Sequence, residues 1–318
     1  MPNSLLYPIN MSHKNLWLPL IGLYTVVLLA IAMPSIAQPA NNRYQITLDA
    51  DSNTVELKIL AWNVYMLPAR TFMHTGQISR AAQIADTLSQ TDYDLIVMTE
   101  AFHPKARRIL AKGLCKAFPY QTEVGNRRGG IKTNSGIWIV SRLPLTLLGE
   151  IRFDDCAGSD CWARKGAMLV QTEKNGQKVQ ILGTHLQADE GSRRDTVRSR
   201  QYRAIYHKLL LPNQQNGVLQ IIAGDMNTTQ STHAQMLREL DAIDGKLTGK
   251  QQTTWTTDEY SAPNAYLFDY ILLRPNARTI LGEKRYVTEF KKTWTHRRQT
   301  RQQLSDHYGV ALEVLLGD

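Results

Sequence analysis

LQIIAGDMN, residues 219–227, decides how this chain is read. Leu219 to Ala223 is short and apolar but for Gln220, the pattern of a strand buried on both faces. It then runs into Asp225 and Asn227, which are two residues apart. That spacing points both side chains to one face of an extended chain, or keeps them close in the turn that follows. An Asx turn leading into a helix would give the same letters, so the segment gains meaning from its counterparts. Asn63 follows the strand-like LKILAWN (57–63), Glu100 follows the apolar Leu95 to Thr99, and His185 ends the run Val179 to Thr184. Asp306 and His307 stand just before a last apolar run, Val310 to Leu315.

Between these strands the periodicity changes. Ile78 to Ser89 has Ile78, Ala81, Ala82, Ala85 and Leu88 at helical spacing, and Asp195 to Leu211 and Ser231 to Leu240 also read as helices. Ile137 to Ser141, Ala167 to Gln171 and Phe268 to Leu273 are further strands, and Glu173-Lys174-Asn175-Gly176 forms a hairpin turn. Hairpins mixed with β–α units exclude a simple parallel doubly wound sheet. They fit an α/β fold of two mixed sheets packed face to face with helices outside, in a single domain. Strand ends in such layers gather on one rim, so Asn63, Glu100, His185, Asp225 and His307 can converge.

Those groups suit phosphodiester hydrolysis. The reaction needs a Lewis acid on a non-bridging oxygen, a base for water and a proton for the leaving oxygen. Glu100 ends a buried strand, where an unpaired carboxylate is costly. It is the first candidate metal ligand, the alternative being a salt bridge to an arginine. Asp225 can accept from water or bind metal, and Asn227 can donate to a phosphoryl oxygen. His185 and His307 are proton carriers near neutral pH.

The chain has a formal net charge of +9. A basic chain suits anionic partners, either nucleic acid or a phospholipid surface, although the charge also serves plain solubility. Leu16 to Met33 is uninterrupted and apolar, and Ser35 and Ala37 satisfy a small-residue cleavage rule. Residues 1–37 therefore read as a secretory signal cut after about Ala37, the alternative being a retained anchor. Residues 38–54 are a lead-in and 55–318 the catalytic domain. Export to an oxidising compartment would let Cys156 and Cys161 close a small disulfide, leaving Cys115 as a buried free thiol.

In their order, these pieces resemble the endonuclease/exonuclease/phosphatase (DNase I-like) superfamily. Within it, WNVYMLP (62–68), GTHLQAD (183–189), the C-x4-C-x3-KG stretch (156–166) and SDHYGV (305–310) are most similar to secreted bacterial neutral sphingomyelinases. The resemblance implies a four-layer α/β/β/α sandwich and Mg2+-dependent cleavage of sphingomyelin to ceramide and phosphocholine, with Mn2+ or Co2+ as possible substitutes. It implies a metal centre at Glu100, with Asn63, Asp225, Asn227 and His307 close by. His307 would be the base, His185 the acid or transition-state donor, and Asp269 a supporting aspartate.

Lytic members of that group present an exposed aromatic hairpin to the membrane. The corresponding interval here, Arg274 to Leu304, carries Tyr286, Phe290 and Trp294 among many basic residues. Such a mixture suits an interfacial membrane patch, a nucleic-acid surface or a solvated loop. A secreted nuclease is the alternative enzyme, supported by the run Arg193, Arg194, Arg198, Arg200 and Arg203. No obligate protein partner is evident from the sequence.

Overall fold

The computed structural model describes residues 54–69, 75–127, 132–255 and 265–317. The expected signal segment and nearly all of the lead-in lie outside these residues. In chain order the elements begin with β1 (Val55–Met66), α1 (Gln77–Ser89), β2 (Leu95–Ala101), α2 (Pro104–Leu114), β3 (Tyr120–Gln121), β4 (Trp138–Ser141) and β5 (Thr146–Arg152). The middle of the chain forms β6 (Gly166–Lys174), β7 (Gln177–His185), α3 (Ser192–Ile205), β8 (Leu219–Asp225), α4 (Gln230–Leu240) and β9 (Leu247–Thr248). Last come β10 (Asp269–Arg274), β11 (Ile280–Thr288), β12 (Lys291–His296), β13 (Gln299–Gln303) and β14 (Gly309–Leu316). None of the described helices is long and apolar enough to cross a membrane.

Seven strands form one mixed sheet in the order β3-β4-β2-β1-β14-β11-β9, and five form a second in the order β10-β8-β7-β6-β5. Strand alternation builds the layers. Leu57, Ile59 and Ala61 of β1 point inward to meet Ile181, Leu219, Ile221 and Ala223 of the second sheet. Leu60, Trp62 and Val64, their neighbours, point outward to Ala81, Leu88 and Leu110 of α1 and α2. The outer face of the second sheet, through Leu182 and Ile222, packs on Tyr202, Ile205, Met236 and Leu240 of α3 and α4. Three apolar layers between four structural layers make the expected α/β/β/α sandwich.

Topology sets the functional rim. β1 is parallel to β2, and β7 to β8, so each pair ends together. β14 runs antiparallel to β1, and β10 antiparallel to β8, so the starts of these strands lie where the others end.

Three expectations need correction. Cys115 caps α2 and is exposed rather than buried. Ile78, assigned to the apolar face of α1, lies among the exposed large hydrophobics, whereas Arg80 is fully buried there. The interval after β10 is strand β11 followed by the hairpin β12–β13. Its aromatics face inward. Trp294 is only 4% exposed and packs into the outer core, where Phe290 and Tyr286 are half-buried. Phe290 lies against Trp62 at 4.6 Å, and the Tyr286 hydroxyl donates to Glu313. These three side chains therefore do not form a membrane-facing patch.

Candidate active site

At the rim, Glu100, His185, Asp225, Asn227, Asp306 and His307 line one cleft of about 390 Å³. Strand register explains much of this. Asp225 lies opposite His185 on one side and opposite Asp269 on the other. Asn63, on the other sheet, reaches across, and its Nδ2 donates to Asp225 Oδ2 at 3.0 Å. Its Oδ1 accepts from the Tyr65 backbone N–H at 3.0 Å. Both ends of that amide are thus engaged, which fixes Asp225 from the side opposite β8.

Asp225 also accepts the Asn227 backbone N–H through Oδ1 at 3.0 Å. The Asx turn and the functional pair are therefore one structure. Asn227 takes a left-handed conformation there (φ 46°), and its Nδ2 donates to Leu186 O at 3.3 Å. His307 Nδ1 pairs with Asp269 Oδ2 at 2.7 Å, leaving Nε2 4.0 Å from Asp225 Oδ2. Its segment is tied to β1 twice. Trp62 Nε1 donates to His307 O at 2.9 Å, and Ser305 Oγ to Asn63 O at 2.6 Å.

Lys165 and Asp160 were not singled out from the sequence. Lys165 Nζ is 3.0 Å from His185 Nε2 and donates to Asp160 Oδ2 and Leu186 O, each at 2.8 Å. A lysine ammonium has donors only, so His185 Nε2 accepts and Nδ1 carries the hydrogen. That Nδ1 is buried without a partner. Asp160 lies in the turn closed by the Cys156–Cys161 disulfide, which forms as expected. The only sequence signal for Lys165 was its place in the Lys-Gly pair after the second cysteine.

The electrostatics show an excess of buried carboxylate. Burial first, and the charge of Asp306 next, push Glu100 up to about 8. Burial and then Asp269 push Asp225 up to about 6. Burial also raises Asp306. Burial, then the charges of Lys165 and His307, hold His185 well below the usual histidine range. For His307 burial opposes the charge, but Asp269, Asp225 and Asp306 together outweigh it and lift it to about 10.

Glu100 Oε2 is buried without a partner, and Glu100 itself sits at φ 56°, a left-handed conformation costly for a residue with a side chain. An orphaned carboxylate beside further buried carboxylates fits a hard divalent cation. Asp225, Asp269 and His307 also bring ligand atoms within 4.8 Å of one another. There, however, the short hydrogen bond already commits His307 Nδ1 and one oxygen of Asp269. The better opening for a cation is toward Glu100.

A family model described as "Endonuclease/Exonuclease/phosphatase family" matches residues 60–307. The chain belongs to that family. It is 32% identical over 306 residues to a Sphingomyelinase C of Leptospira interrogans, an alignment covering 87% of this chain and 54% of that one. It thus spans about half the length of the Leptospira relatives it matches. A Sphingomyelinase C of Bacillus cereus is 28% identical over 312 residues, covering 84% of this chain and 92% of its own. Among solved structures, a Staphylococcus aureus beta toxin mutant with bound magnesium ions is 25% identical at a TM-score of 0.73, covering 81% of this chain and 99% of that one.

Four of the five arginines of α3 are engaged with carboxylates or backbone carbonyls. Arg198 is buried and donates to Gln187 O and Asp189 O, each at 2.7 Å. Arg194, Arg200 and Arg203 pair with Asp189, Asp155 and Glu239, each at 3.3 Å. Of the five arginines, Arg198 holds the fold, three pair with carboxylates and Arg193 is exposed.

Proposed function

We propose that this chain is a secreted, metal-dependent phosphodiesterase that hydrolyses sphingomyelin to ceramide and phosphocholine at a phospholipid surface. The carrying observation is the cleft, which places two histidines in opposite electrostatic settings around a cluster of buried carboxylates, one with an unpartnered oxygen. The likeness to sphingomyelinases C supplies the substrate.

On this reading Glu100 holds Mg2+, with Mn2+ or Co2+ as substitutes, and Asp225, Asn227, Asn63 and His307 lie beside it. Bound there, the ion would polarise the phosphoryl group and offset the developing negative charge. Asn63 and the Asn227 backbone hold Asp225 in position to orient the attacking water. His307, steadied through Nδ1 by Asp269, takes the water proton at Nε2. His185 is neutral, and its Nδ1–H donates to the phosphoryl oxygen as charge builds there, while the leaving ceramide oxygen takes its proton from solvent water and His307 returns the one it accepted to solvent. Lys165 fixes the tautomer that makes this donation possible.

The test uses Mg2+ with sphingomyelin vesicles in one arm and plasmid DNA in the other. Phosphocholine release that EDTA abolishes, with intact DNA, is the expected result. Nicked DNA without phosphocholine would overturn the proposal. Full turnover in a folded His307→Ala variant would remove the base from the scheme.

A further inference from the structure

The disulfide turn carries a side chain that neither the core nor the chemistry above uses. Trp162 ends the short turn Gly158–Trp162, one residue beyond Cys161, and is 68% exposed. That is the greatest exposure among the described large apolar side chains, with Leu147 next at 55%. Single exposed apolar residues are ordinary on a protein surface, so position must decide. Tyr120, Ile243 and Leu281 lie toward strand ends away from the functional rim.

Trp162 instead stands at the lip of the cleft. Asp160 Oδ2, in the same turn, accepts the Ala188 N–H at 2.6 Å, and Ala188 lines the cleft beside His185. Arg194 pairs with Asp189, another lining residue, and its guanidinium sits next to Gly158, where a Cβ would come within 3.6 Å of it. The turn is braced as well. The Cys156–Cys161 bond closes it, Ala157 exchanges two hydrogen bonds with Gln187, and Trp162 O accepts the Thr133 N–H at 3.0 Å. An exposed ring on so fixed a support loses little freedom when something covers it.

The surrounding charge narrows what that can be. The Thr133 bond brings Lys132 alongside the turn, and Lys132 and Arg152 line a small polar hollow with Cys156 and Asp160. Both cations are exposed, and neither forms an ion pair among the described residues. The acids of the same hollow are already answered, Asp154 by Lys208 at 3.5 Å and Asp155 by Arg200 at 3.3 Å. An indole beside free cations suits the headgroup level of a bilayer, with the ring at the interface and the cations against anionic lipid. A folded protein partner would need a wider apolar patch than one ring offers.

We infer that Trp162, with Lys132 and Arg152, forms the contact by which this chain seats on a phospholipid surface that contains anionic lipid. The disulfide turn, and not the hairpin β12–β13, then carries membrane contact. This deepens the lipid phosphodiesterase reading and rests on it for the reason that the cleft mouth should face the bilayer.

The experiment separates seating from turnover. Co-sedimentation of the Mg2+-loaded protein compares vesicles of phosphatidylcholine alone with vesicles that also contain phosphatidylglycerol. Binding should be tighter with phosphatidylglycerol and should weaken as salt is added. Trp162→Ser should weaken binding to both vesicles by about tenfold while the melting temperature holds. Lys132→Gln with Arg152→Gln should weaken only the phosphatidylglycerol arm, by about fivefold for each cation removed. Trp162→Phe should keep its binding but lose much of the quenching of tryptophan fluorescence by brominated lipid. Undiminished binding in folded Trp162→Ser, or undiminished quenching in Trp162→Phe, would overturn the contact. Self-association that Trp162→Ser abolishes, without vesicle binding, would give the ring to a second copy and also overturn it. Hydrolysis of the soluble diester p-nitrophenyl phosphorylcholine by the unaltered protein is measured alongside. Turnover without vesicle binding leaves the enzyme and sinks the contact, whereas Trp162-dependent vesicle binding without turnover leaves the contact and sinks the enzyme.

Discussion

Glu100 concentrates the cost of the site in one side chain. It sits at the end of a strand buried on both faces, in a left-handed conformation, with one carboxylate oxygen unpartnered. Its folded value of about 8 lies above the usual 4.5, so between those limits the folded protein holds a proton that the unfolded chain releases. Without metal, this group's contribution to stability is therefore full below about pH 4.5 and lost as pH rises through 8. Glu100→Gln removes the buried charge while keeping the shape. At pH 8 in EDTA the variant should melt a few degrees above the unaltered protein, yet lose on the order of 10²-fold or more in turnover with Mg2+. A lower melting temperature in EDTA would mean that Glu100 is paired within the protein and is no metal ligand. His307 offers a second check, read by NMR. Its imidazole should titrate near pH 10 without metal and fall on adding Mg2+, because the cation offsets the carboxylates that hold the proton. An unmoved titration would deny it the role of base.

At the scale of elements, the turn between Cys156 and Cys161 supports the end of β7. Ala157 N–H donates to Gln187 Oε1 at 2.7 Å, Gln187 Nε2 returns a bond to Ala157 O at 3.0 Å, and Asp160 holds Lys165 against His185. Replacing both cysteines by alanine should cost about 2 kcal/mol of stability from the short closed loop. Lys165→Met should reach further than stability, since it frees His185 Nε2 and with it the tautomer. Turnover should fall while the melting curve moves less, and equal loss in both would reduce Lys165 to a packing residue. The hairpin β12–β13 shows where sequence patterning stops being informative. β1, β2, β7, β8 and β14 could be read because burial of a face, or of both, leaves an apolar run, and their ends carried the site. β11 to β13 are mostly exposed and rich in charge, so a strand there spells the same letters as a loop. Trp294 is the buried aromatic that marks the inward face. Its Nε1 donates to Gln303 O at 2.8 Å and its ring packs near Arg80. Trp294→Ala should destabilise the protein by about 3–5 kcal/mol by emptying that space. An unchanged melting temperature with lost vesicle binding would put Trp294 on the surface after all.

Taken whole, the molecule sets an acidic cleft into a basic chain. The net charge of +9 favours approach to anionic surfaces, while the rim that the two sheets share collects Glu100, Asp225, Asp269 and Asp306. That Asn63, Glu100, His185, Asp225 and His307 would converge was legible from strand ends alone. How they pair was not, because contacts such as Asn63 to Asp225 and Lys165 to His185 depend on the facing of the sheets and on the disulfide turn. The convergence makes the stability of the whole fold answer to a divalent ion. A ligand that binds only the folded state at a hundred times its dissociation constant adds about 2.7 kcal/mol. The ion must displace the proton that Glu100 holds up to about pH 8, so proton and metal compete for one oxygen. The increase in melting temperature on adding millimolar Mg2+ should therefore be small at pH 5.5 and should grow toward pH 8, with Glu100 releasing close to one proton per ion bound at pH 5.5 and about half of one near pH 8. Calorimetry in two buffers of different ionisation enthalpy reads that proton directly. Glu100→Gln should abolish both the release and the pH dependence. A Mg2+ shift that is equal at the two pH values and survives in the variant would place the ion elsewhere on the molecule.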